Sequence, residues 1–137
     1  MTPFADIEEQ IDAESESATP LAADALLNLG EEVLSRWVEA RGGTPTVDTR
    51  EGFRLLALHR QGAKGEPSFN ACRETCRELV YQRNLIVAEP DHPDTGQRVK
   101  LAGLVAKHLC LFVGGKMEVS GLGEFCCSSR ELRTGSG

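Results

Sequence analysis

The chain has no membrane-length apolar stretch, no excess of basic residues and no export signal, and each absence removes a class of function. Its longest apolar run, Leu101-Ala-Gly-Leu-Val-Ala-Lys-His-Leu-Cys-Leu-Phe-Val113, is interrupted by Lys107 and stopped by Gly114-Gly115. That is short of the roughly 20 apolar residues that span a bilayer, so no membrane association is expected. The formal net charge of −6 belongs to one segment: Asp6, Glu8, Glu9, Asp12, Glu14 and Glu16 precede Pro20 without a base, and the remaining acids and bases balance. A neutral body preceded by an acidic stretch lacks the clustered Lys and Arg that track phosphates, so no nucleic-acid partner is expected. A basic n-region followed by an apolar h-region is missing, and the expected compartment is the cytoplasm.

Catalytic signatures are also absent. There is no Gly-x-Ser-x-Gly elbow and no Gly-x-Gly-x-x-Gly fingerprint, and Gly62-Ala-Lys-Gly-Glu-Pro67 lacks the spacing and Lys-Ser/Thr pair of a phosphate loop. That loop reads as an interhelical turn. Its functional alternative is an anion held by Lys64 and the N–H groups of the next helix start. Glu89-Pro-Asp-His92 has the spacing of a di-iron helix motif, but Pro90 and Pro93 make it a loop. No repeat occurs, and 137 residues suit one domain.

What is present is helical periodicity. Residues 1–19 read as an acidic, disordered tail; the three- and four-residue spacing of Phe4, Ile7 and Ile11 gives a docking helix as the alternative. Residues 20–137 read as a single helical domain. Thr19-Pro20 starts a helix reaching Arg41, with Ala22, Ala25, Leu26, Leu29, Val33 and Trp37 as its stripe. Asp48 and Glu51 form a capping-box pattern before a second helix that ends at Gly62. A third spans about 69–86, with Phe69, Cys72, Cys76, Leu79 and Val80 inward.

The central helix follows Asp94. Val99, Ala102, Gly103, Ala106, Leu109, Cys110 and Val113 share one face, and Leu101, Leu104, Val105, Leu111 and Phe112 cover much of the remainder. Such a helix needs burial on several sides, inside a bundle or between two copies of the chain. Gly103 and Ala106 let another helix approach closely. Past Gly115 the pattern alternates, as in a β-hairpin or extended segment. The expected fold is therefore mainly α, a four-helix bundle-like domain with a small C-terminal hairpin or extended segment.

The chemically pointed feature is the cysteine set. Cys72 and Cys76 project from successive turns of one helix face. If that helix packs on the Gly103 face, Cys110 meets them, and one thiol of Cys126-Cys127 completes a tetrahedral site for zinc or an iron–sulfur cluster. The metal ligands expected are Cys72, Cys76, Cys110 and Cys126. The resulting expectation is a non-enzymatic binding or regulatory module with a cysteine-held metal. One rival is a cofactor-free interaction domain, homodimeric, with its cysteines packed as core residues. The other is a dithiol redox protein. A homo-oligomer or a protein partner is expected in either binding reading.

Overall fold

Apolar side chains recurring at helical spacing wind most of the chain into helices, and the protein is mainly α. A computed structural model describes residues 4–64 and 69–119. Among the described residues there are five helices and no strand: α1 (Ala5–Ser17), α2 (Ala22–Ala40), α3 (Arg54–Ala63), α4 (Asn70–Ala88) and α5 (Thr95–Val119). The helices α2 and α5 form the central pair. Against them α1 packs from one side, touching neither α3 nor α4, while α4 packs on both and α3 lies on α2 and α4.

Gly30 marks where four helices meet. A Cβ there would stand 2.9 Å from Leu79 Cδ2 of α4, 3.4 Å from Leu55 Cδ1 of α3 and 3.5 Å from Leu109 Cδ2 of α5. At one end of the bundle an aromatic joint fastens the same elements. Trp37 stacks on Phe69 with centroids 5.0 Å apart and donates its indole N–H to the Gly62 carbonyl at 3.0 Å. Phe69 in turn meets His59 and, edge-on, Phe112 of α5. The buried indole N–H thus has the partner that burial requires.

Three expectations change. The acidic segment is not a free tail: residues 5–17 form α1, and Phe4, Ile7 and Ile11 are fully buried against α2 and α5. Each such side chain contributes roughly 1.5–3 kcal/mol on burial, and the acids remain on the solvent side. Two ion pairs orient the helix. Asp6 accepts both Nη of Arg36, at 3.0 and 2.7 Å, and Asp12 accepts Lys107 Nζ at 3.0 Å. Exposed pairs of this kind add little stability, so docking rests on the apolar stripe.

The second change is at the C-terminal end of α5. The helix passes through Gly114-Gly115 to Val119, so the start of the expected hairpin is helical; residues 120–137 lie outside the described residues. Met117 is buried one turn beyond Val113, which offsets the roughly 1 kcal/mol that each glycine costs a helix. Third, Asp48 and Glu51 do not open a helix. Arg50 and Phe53 exchange N–H···O bonds of 3.0 Å around Glu51 (φ +56°) and Gly52 (φ +89°), a two-residue turn of the primed kind, and α3 starts only at Arg54.

The close approach promised by Gly103 is made by α1. A Cβ at Gly103 would overlap Ser15, whose Cβ would be 2.8 Å away. Gly103→Ala is therefore expected to lift α1 and destabilise the fold by about 1–3 kcal/mol, read as a lower urea midpoint and faster amide exchange confined to residues 5–17. Adding Ser15→Gly should restore part of the loss; an unchanged exchange pattern in Gly103→Ala would refute the assignment.

Candidate functional site

The cysteines are placed by the two faces of α5. Because Gly103, Ala106 and Cys110 share the face that α1 covers, Cys110 is buried among α1 and α2, with Glu8, Asp6 and Arg36 as its charged surroundings. Burial, reinforced by Glu8, pushes its thiol up to about 12. Cys72 and Cys76 are buried on α4, one turn apart as expected, and the neighbouring Cys72 thiol together with burial holds Cys76 well above the ordinary thiol range. The structure thus brings Cys72 to Cys76 but turns Cys110 elsewhere, and Cys126 lies outside the described residues. Among the described residues no three His, Cys, Asp or Glu side chains stand close enough to share a metal ion. The α4 pair supplies two thiols of the four that a tetrahedral sulfur site uses. Both are buried, whereas redox exchange requires an exposed thiol.

Two features of the surface stand out instead. The first is the outward stripe of α5. Leu101, Leu104 and Leu111 are 44%, 66% and 56% exposed, and His108 is exposed between them. Beside the stripe a groove of about 380 Å³ runs between the helices, lined by Glu74, Thr75 and Glu78 of α4 and Leu104, Val105 and His108 of α5.

The second is a cleft of about 880 Å³ bounded by the 44–53 loop, α3 and the first turns of α4. Its loop wall is tied down by one side chain, since Gln61 donates to the Thr44 carbonyl at 2.7 Å and accepts from Thr46 N–H at 2.8 Å. Arg54 Nε adds a bond to the Thr46 carbonyl at 2.9 Å. From α4, Arg77 closes a fork on Glu51 with bonds of 3.2 and 2.7 Å, clamping the loop turn to the helix. Arg50, Arg60, Lys64 and Arg73 line the cleft with Arg77, and Asp48 is the acid among its lining residues. The sequence reading passed over this group because its members lie far apart in the chain; the available signal was a local one, eight bases against five acids in residues 41–83.

His59 forms part of the cleft floor. Its Nε2 is 3.0 Å from the Phe69 carbonyl, which can only accept, so the neutral ring carries its proton there. Burial holds the imidazole below its ordinary value near 6.5, with Arg73 and Arg77 acting in the same direction.

No protein-family model matches the chain, and comparison with curated proteins and with solved structures gives no match.

Two outcomes are expected from these environments. In a chain carrying Cys126→Ser and Cys127→Ser, the remaining thiols should react with a chromogenic disulfide roughly a hundredfold or more slower in the native protein than in urea. Rapid stoichiometric labelling of the native chain would contradict their burial. For His59, the unfolded state binds the proton more readily, so its contribution to stability is present above about pH 6.5 and lost as pH falls towards the depressed folded value. Urea titrations at pH 7.5 and 5.5 should show a smaller acid loss in His59→Gln than in the unmodified chain.

Proposed function

We propose that this domain is a non-enzymatic interaction module that pairs with a second copy of itself through the outward stripe of α5. The observation that carries the reading is the exposure of Leu101, Leu104 and Leu111 on a helix whose other sides are covered by α1, α2 and α4. Large apolar side chains aligned along one stripe of a helix differ from the scattered single exposures that need no explanation.

The spacing favours a second copy as the occupant. Positions 101, 104, 108 and 111 are separated by three, four and three residues, a pattern identical when reversed. Two antiparallel α5 helices then set Leu101 against Leu111 and Leu104 against His108, with knobs and holes in register. A parallel pair would instead oppose the two His108 rings in mid-seam. The stripe is only about 15 Å long at 1.5 Å per residue, so the pairing is weak, with Kd in about the 1–100 μM range.

Sedimentation velocity from 1 to 300 μM tests this. The unmodified chain should move from monomer to dimer across that range. Leu104→Glu, which adds a charge beside Glu74 and Glu78, should remain monomeric with a urea midpoint unchanged, because Leu104 contributes little to the folded monomer. A monomer throughout, or a dimer that survives Leu104→Glu, overturns the proposal.

A further inference from the structure

The geometry points to a second, independent site: we propose that the cleft between the 44–53 loop, α3 and α4 binds a small ligand carrying two or more phosphoryl groups. Five cations converge there from three elements, Arg50 from the loop, Arg60 and Lys64 from the end of α3, and Arg73 and Arg77 from α4. Arg77 is committed to Glu51. No ion pair or side-chain hydrogen bond among the described residues engages Arg50, Arg60, Lys64 or Arg73. Elsewhere among the described residues the arginines are engaged: Arg36 by Asp6, Arg41 over the Trp37 ring, Arg54 by Thr46 and Glu31, Arg83 by Asp24 and Arg98 by Glu89. Four unpaired cations facing one cleft repel one another, and a multivalent anion relieves that repulsion.

Several features select the ligand class. Arginine forks present paired N–H donors that match phosphoryl oxygens, and three of the four unpaired cations are arginines. Thr46, Thr49 and Gln61 add polar groups to the lining. The volume of about 880 Å³ lies within the range of small-ligand sites. Five cations of the described residues meet at this cleft, while α1, which touches neither α3 nor α4, carries six acids, and this compact arrangement suits a small anion better than a nucleic-acid backbone. The loop wall is already fixed by Gln61, Arg54 and the Arg77–Glu51 fork, so little ordering is needed on binding.

Isothermal titration of the full chain with inorganic triphosphate, at 50 and 300 mM salt, tests the assignment. One equivalent should bind, more weakly at high salt, and the His59 imidazole should titrate at higher pH in its presence by NMR. Arg60→Ala and Arg73→Ala should each weaken binding by about tenfold or more. Both side chains are exposed and unpaired among the described residues, so their loss leaves the fold intact, and an unchanged circular dichroism melt confirms it. Lys100→Ala, which removes an exposed charge of α5 outside the cleft, should bind as the unmodified chain does. No heat or shift at 5 mM triphosphate in 50 mM salt overturns the proposal. So does equal weakening by Lys100→Ala, or tighter binding of a single-stranded oligonucleotide than of triphosphate.

Discussion

A helix of 25 residues with almost no polar side sets the terms for this fold. Water cannot accommodate most of the surface of α5, and three other helices are arranged by the need to cover it. The covering elements use different means. The helix α2 brings Gly30 to the crossing, where leucines of three neighbours fill the space a side chain would have taken. The helix α1 reaches close enough to Gly103 for the Ser15 side chain to lie where a methyl group would be. What the chain does not cover with its own helices is the Leu101–Leu104–Leu111 stripe, so the principle that builds the monomer also defines the surface most in need of a neighbour.

The parts of the fold that were legible in the sequence are those governed by a repeating pattern. All seven residues assigned to the inner face of α5 are buried, as are Cys72, Cys76, Leu79 and Val80 of α4 and Phe69 just before it. Pairing between elements was less legible. Gly103 and Ala106 say that some helix comes close; they do not say which, and the choice of α4 over α1 is what placed Cys110 beside Cys72 and Cys76. Ends were misread where tertiary burial outweighs local preference. Met117 carries α5 past two glycines, and the Glu51-Gly52 turn claims the residues of an apparent capping box, leaving Glu51 to bind Arg77. The basic cleft was less legible for a related reason, because the acids and bases of residues 20–137 balance in number and so mask the local excess that folding gathers into one place.

The acids of residues 6–16 lie along α1, where Arg36 and Lys107 take up two of them, while four cations without ion pairs among the described residues gather around the 44–53 loop, α3 and the start of α4, and α1 touches neither of those helices. The folded chain, with a net charge of −6, thus presents an acidic helix and a basic cleft on different elements. The two candidate surfaces are likewise distinct, since the leucine stripe belongs to α5 and the cleft to α3 and the loop before it. The Arg73–Arg77 turn and the Glu74–Glu78 turn of α4 face one surface each, making α4 the element they share.

The chain has a single tryptophan, and it stands where these parts join. Trp37 is bonded to Gly62 at the end of α3 and stacked on Phe69 at the entrance to α4, and a second neighbour of Phe69 is His59 on the cleft floor. Its indole is therefore an intrinsic optical gauge of that junction: a displacement of α3 relative to α4 by a fraction of an ångström alters both the carbonyl bond and the ring overlap that set its emission. The α5 stripe contains no tryptophan, so tryptophan fluorescence and sedimentation observe different faces of the same molecule.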